Sequence, residues 1–307
     1  MTFIRLKSSI LEALPKAQAT IIWLIKLILP ISLGVTILMH LGVIEYISNH
    51  LSPVFKIIGL RGEAAIVFLT SVFLTLYAPI AIIATLSLNM REITILATMC
   101  LISHNVFIES AIQQKTGSSG IVMFTVRIIT SFVSAYILNL LLPHQMGSEI
   151  IHSANIKTLT FQQLLFSWSI DSIHLTIKMS LIIISLMILQ SIMKEFKFIH
   201  LISKTLTPFM KLLGLSKNSS FLWIISQLIG LTYGSAILIE EVEKNEVSKY
   251  DANLLNFHIA INHSILEDNL LFVSIGVPIV WVFLPRLILA IALVWMIKLV
   301  IPNKAIN

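Results

Sequence analysis

The chain has 307 residues, of which 57% are hydrophobic and only 12% charged, and its mean hydropathy is +0.94. Soluble domains carry about 25% charged residues, so a water-soluble fold is excluded. Runs that are apolar on every face for roughly 20 residues likewise exclude the ten-residue alternation of a membrane β-barrel. The net charge of +6 rests on 21 Lys and Arg, which the sequence scatters through short loops and helix ends without the basic stripe that nucleic acid requires. The expected partner of these cations is the lipid bilayer, and nucleic acid is not one.

Arg5, Lys7 and Lys16 precede the first apolar run, so residues 1–18 read as an amphipathic interfacial segment. The run at about 19–44 is longer than the apolar region of a signal peptide and predicts a retained membrane helix. Further apolar segments at about 64–88, 93–112 and 121–142 complete a first group over 19–142. Residues 143–171 form a polar linker and a second interfacial stretch, with Trp168 as its anchor. Segments at about 172–193, 219–239, 252–275 and 278–301 make a second group within 172–307. Cys100 is the single cysteine, which rules out an intrachain disulfide and a cysteine-based metal cage. The fold class is therefore all-α: a polytopic helical membrane protein of two four-segment groups.

The groups look like homologous copies. Ile47, Ser48, Leu51, Pro53, Lys56, Gly59 and Leu60 recur as Ile202, Ser203, Leu206, Pro208, Lys211, Gly214 and Leu215, at a constant offset of 155. Leu76 to Ile80 aligns with Thr232 to Ala236 at 156, and Ile102 to Asn105 with Ile261 to Ser264 at 159, which sets Glu109 opposite Asp268. Four crossings per copy would make the copies parallel. Charge points the other way: the loop 194–217 holds Lys194, Lys197, Lys204, Lys211 and Lys217 against Glu195, whereas in 45–63 Lys56 and Arg61 are cancelled by Glu45 and Glu63. Lys and Arg prefer the cytoplasmic side, so the charge pattern favours inverted copies, each with one re-entrant or broken hairpin.

Two places in each copy can carry chemistry. His104 lies about eleven residues, or roughly 16 Å, into its segment, near the centre of a hydrocarbon core about 30 Å thick. His263 sits at matching depth. Asn105 and Glu109 share a helix face, as do Ser264 and Asp268, and His263 and Glu267; Asn262 and Asn269 make the second copy still more polar. Ionisable groups at this depth must face each other or a wet cavity, where the histidines serve as proton carriers, metal ligands or hydrogen-bond donors. The second segment of each copy supplies the other place, a helix breaker: Tyr77-Ala78-Pro79 in the first, Tyr233-Gly234-Ser235 in the second. Paired interruptions mark binding sites in secondary transporters, and Gln227 is placed to line the same cavity. Nucleophile elbow, phosphate loop, zinc-protease and dinucleotide signatures are all absent, so no enzyme activity and no cofactor is expected. The acidic cluster Glu240, Glu241, Glu243, Glu246 reads as a solvated loop.

A stretch ending in Lys-x-x-Gly-Leu, then a broken helix, then a helix with a mid-membrane polar cluster, resembles the Gate, or nucleoside-recognition, family over about 45–142 and 200–301. This family resemblance extends to spore maturation proteins A and B and to the membrane cores of concentrative nucleoside and ferrous iron transporters. It implies pore-facing groups at Asn105, Glu109, Ser264 and Asp268, with breaks at Tyr77 to Pro79 and Tyr233 to Ser235. The chain departs from the iron transporters in lacking their fused GTPase and membrane cysteine motif, and from the nucleoside transporters in lacking their additional helices. The expected function is gradient-driven transport of a small solute or ion, nucleoside-like substrates included, across a bacterial inner membrane. The alternatives are a divalent-metal permease using His104, Glu109, His263, Glu267 and Asp268, and a non-transporting assembly factor that acts as a homo-oligomer or with a membrane partner.

Overall fold

The computed structural model describes residues 2–146, 160–244 and 246–300, and the backbone alone of residues 2, 3, 232 and 233. Much of the 143–171 linker and the last residues of the second group lie outside the described residues. Every regular element among the described residues is a helix.

Two long helices run side by side, α1 (Thr2–His40) and α8 (Phe161–Glu195). Ser9, Ala13 and Ala17, four residues apart and nearly sealed from solvent, form a small-residue stripe on α1 that permits close approach. Ser191 Oγ donates to the Ser9 carbonyl at 2.9 Å, and Trp168 Nε1 donates to Ser32 Oγ at 3.1 Å. The interfacial segments expected at 1–18 and up to 171 are thus the ends of continuous helices. Burial against the partner helix carries the helical hydrogen bonds straight through them.

Each long helix leads into a short one, α2 (Val43–Ile57) and α9 (Phe198–Leu206), the latter extended by a 3₁₀ turn over Thr207–Lys211. Both stretches end in the same reversal. Gly59 (φ 74°) and Gly214 (φ 76°) take left-handed backbone, which lets Leu60 donate to the Phe55 carbonyl at 3.0 Å and Leu215 to that of Met210 at 2.9 Å. A side chain at either glycine would be strained.

The second segments are broken, as expected, but a few residues early. In the first, α3 (Ala64–Phe73) stops at Leu74, which is extended, and α4 (Tyr77–Ile83) starts three residues later. Pro79 does not make the break. It lies in the first turn of α4, where a backbone N–H has no intrahelical acceptor and its loss costs nothing. In the second, α10 (Ser220–Leu228) and α11 (Leu231–Glu243) are separated by Ile229 and Gly230, so Tyr233 and Ser235 are helical. A Cβ on Gly234 would lie 3.1 Å from that of Ser226. Eight residues of straight helix span about 12 Å, so the chain doubles back and α10–α11 is a hairpin. The acidic residues Glu240 to Glu243 end α11 as helix, and do not form a loop.

The third segments, expected to be continuous, are interrupted too: α5 (Met90–Ser103) from α6 (Val106–Lys115), and α12 (Lys249–Ile261) from α13 (Glu267–Ser274). Each copy-like half closes with an unbroken helix, α7 (Gly120–Leu141) and α14 (Ile279–Val300). Among the described residues five stretches are long and apolar enough to cross a membrane: α1, α5 with α6, α7, α8 and α14. Two apolar cores hold the bundle together, and each borrows from the other half: Met123 of α7 packs in the core built on α9 to α12, and Val282 of α14 in the core built on α1 to α7.

Candidate functional site

A break inside a bilayer leaves backbone groups that water cannot serve. At the α5–α6 break His104 is extended and Asn105 adopts left-handed backbone (φ 48°), so the Asn105 N–H points across to the Ser71 carbonyl of α3 at 2.8 Å. Ser264 repeats this at the α12–α13 break, with φ 48° and its N–H on the Ser226 carbonyl of α10 at 3.0 Å.

The freed carbonyls are served by two arginines. From α7, Arg127 Nε donates to the Ile102 carbonyl at 2.7 Å and Nη2 to that of His104 at 2.8 Å. From α14, Arg286 Nε donates to the Ile261 carbonyl at 3.1 Å and Nη2 to that of His263 at 3.0 Å. Both arginines are wholly buried. This corrects the expectation that Lys and Arg keep to loops and helix ends: the rigid planar fork of a guanidinium, with five N–H donors, caps two carbonyls and still presents a third nitrogen. The signal was legible, since each is a cation in the middle of a long apolar segment and they stand at the histidines' own offset of 159.

The third donors differ. Arg127 Nη1 lies 2.5 Å from Glu109 Oε2 as a buried ion pair, whereas Arg286 Nη1 donates to the neutral Asn269 Oδ1 at 3.0 Å. Glu109 is therefore committed to an arginine. Asp268, its counterpart, makes no arginine ion pair among the described residues, and its Oδ2, like Glu109 Oε2, is buried without a hydrogen bond.

The four breaks converge on one cavity of about 210 Å³. Of the residues singled out in the sequence, its wall includes Tyr77, His104, Asn105, Glu109, His263, Ser264, Glu267 and Asp268, and the hairpin tips add Thr75, Leu76 and Ile229 to Leu231. At its centre the His104 and His263 rings are 5.2 Å apart. His104 Nε2 is 3.3 Å from Glu109 Oε1 and 3.7 Å from Asp268 Oδ2, and His263 Nε2 is 3.6 Å from Glu109 Oε2 and 3.9 Å from the same Asp268 oxygen. Tyr77 donates its hydroxyl to Glu267 Oε1 at 3.0 Å, joining the first half to the second.

The remaining candidates stand behind the wall. Gln227 Nε2 donates to the Asn262 carbonyl at 2.6 Å, sealing the α12 break in concert with Arg286. Asn269 holds Arg286, Pro79 packs in α4, and Ser235 is buried with an unpartnered hydroxyl. The side chain of Tyr233 lies outside the described residues. A separate polar knot, in which Asn256 donates to Thr116 Oγ1 and Ser118 Oγ and accepts at its carbonyl from Gln113, ties α12 to α6 and its following turn.

Helices of membrane-spanning length, two broken segments in each half and a buried polar cavity define a polytopic helical membrane protein with an internal site. Its sequence matches the Gate family, described as nucleoside recognition, over residues 21–126. It is also 34% identical over 275 residues, 87% of each chain, to the Uncharacterized membrane protein YvoD of Bacillus subtilis (strain 168). The chain belongs to this Gate family of integral membrane proteins. No solved structure matches it.

Proposed function

We propose that the protein moves a small polar solute or ion across the cytoplasmic membrane of a bacterium, by exposing the cavity between its halves alternately to the two sides. One observation carries this reading: four interrupted helical segments bring their ends to a single cavity lined by buried polar side chains. Interrupted helices are costly in lipid and are kept where their ends line a substrate path. The tip of the α10–α11 hairpin sits on that cavity, so small shifts of the tip would open or shut it.

The two halves act as inverted copies in this proposal. The recurrent arginine caps, left-handed residues and broken second segments support duplication. Counting α12 with α13 as a third crossing of the second half, beside α8 and α14, gives each half an odd number of crossings, and with the lysines concentrated in the 194–217 loop this supports inversion. The described wall carries two histidines and the carboxylates Glu109, Glu267 and Asp268, which suits a small charged cargo. The protein acts without catalysis of its own and draws on an existing gradient.

The test is uptake into liposomes holding the purified protein. Saturable flux of a nucleoside, a metal ion or a simple ion is expected, with Glu109→Gln and Asp268→Asn each reducing it at least about tenfold, as loss of a buried charged site group does. Flux unchanged in both variants would remove the cavity from the path. Absence of flux for all three cargo classes would favour the assembly-factor alternative.

A further inference from the structure

Resting on the transport reading, we infer that the cavity's cargo is a first-row divalent metal ion, held by His104 Nε2, His263 Nε2 and Asp268 Oδ2. The ligand atoms of these three residues lie within 4.8 Å of one another, and all three residues are buried.

The histidine tautomers make the case. His104 Nδ1 lies 3.2 Å from the Cys100 carbonyl, and His263 Nδ1 lies 2.7 Å from the Ile259 carbonyl, each one turn back on its own helix. A carbonyl only accepts, so both Nδ1 atoms carry hydrogen and donate. In the neutral ring this leaves the Nε2 lone pair directed into the cavity. Locking one imidazole nitrogen on a backbone carbonyl is also the usual outer support of a metal-bound histidine.

Those lone pairs face carboxylate oxygens at 3.3–3.9 Å. Acceptor faces acceptor, in a space where His263 Nε2 and Asp268 Oδ2 find no hydrogen-bond partner. The arrangement calls for a cation between them, either protons on the rings or a metal. The spacing is that of an unloaded site: the Asp268 oxygen stands 3.7 and 3.9 Å from the two Nε2 atoms, and small side-chain shifts would draw the three ligands in to the roughly 3.3 Å that separates ligands about 2.0–2.1 Å from a tetrahedral ion. Two imidazoles and a carboxylate suit zinc, manganese, iron, cobalt or nickel, whereas calcium and magnesium require oxygen alone.

The asymmetry of the two arginines now has a use. Arg127 neutralises Glu109, while Arg286 spends its third donor on Asn269 and leaves the Asp268 oxygen free to ligate. Three protein ligands leave a fourth position open, and an ion so held can exchange, as a cargo must.

Titration of the purified full-length protein with Co²⁺ reads the site directly. One Co²⁺ per chain is expected, with the intense visible absorption of a tetrahedral nitrogen and oxygen site, displaced by Zn²⁺ and weakened by acid because the rings must be unprotonated to ligate. His263→Gln and Asp268→Asn should each weaken binding by about 100-fold, and the exposed Lys244→Gln should not change it. Asp268→Asn is isosteric and removes no hydrogen bond, so it keeps the test open if the histidine variant does not fold. Lack of saturable binding by the wild type, or affinity unchanged in folded Asp268→Asn, would overturn the metal site in favour of protons. Metal flux in the same liposomes separates the two proposals. Binding without flux keeps the site and overturns transport, whereas flux of another solute without metal binding keeps transport and overturns the metal.

Discussion

Arg127 spends all three of its guanidinium nitrogens in an apolar interior, on two carbonyls and one carboxylate. Taking away one partner of a buried charge pair leaves the other charge uncompensated, at a cost of about 3–5 kcal/mol. Arg127→Met should therefore lower stability by about that much, read as an earlier thermal unfolding of the detergent-solubilised protein. Adding Glu109→Gln should recover part of the loss, because no bare carboxylate is then left behind. Arg286→Met should cost less, since it abandons an amide and two carbonyls but no ion. Equal stability of Arg127→Met and wild type would show that the pair does not hold the break. At this scale the sequence revealed His104, His263, Glu109 and Asp268, since ionisable groups stand out in apolar surroundings. It did not reveal which acid is free, because Arg286 reaches Asn269 and not Asp268 by a choice of rotamer and helix packing.

Among the elements, the interruptions govern what the site can be. Gly230 has φ 109° and ψ 165°, a region essentially reserved for glycine, and Ser264 Oγ lies 3.2 Å from where its Cβ would be. Gly230→Ala should cost about 1–3 kcal/mol and slow any flux, because it distorts the tip of the α10–α11 hairpin; unaltered melting and unaltered flux would show that the tip tolerates other backbone. The interruption of each second segment was legible from Pro79 and the paired glycines, but its position was not. Proline is harmless in a first turn, so Pro79 marks where α4 begins and not where the helix fails. The third-segment breaks carried no such mark. Cys100 to Asn105 and Ile259 to Ser264 contain neither proline nor glycine, and their left-handed residues are held by carbonyls on other helices, Ser71 and Ser226.

For the molecule as a whole, orientation of the halves decides whether it can alternate. In a Cys100→Ser background, Lys56→Cys and Lys211→Cys place single thiols at equivalent, exposed positions, in the last turn of α2 and at the end of the 3₁₀ turn that extends α9. Inverted halves predict that an impermeant maleimide labels them from opposite sides of sealed vesicles; labelling from one side would make the halves parallel and undo the alternating scheme.

Composition and hydropathy alone settled that the protein is helical and lives in a membrane, because a bilayer demands long apolar segments and permits nothing else. Repetition within the chain pointed to the paired histidines and acids, since polar residues at membrane depth survive only with a partner. Only the tertiary structure decided that these groups meet in one cavity, that an arginine of the following helix caps each broken third segment, and that Asp268 is the free acid. Those outcomes depend on which helices lie against which. The bilayer constrains each helix by its length and polarity, but pairing between helices is chosen by side-chain packing and hydrogen bonds between segments separated along the chain, where local pattern carries no record.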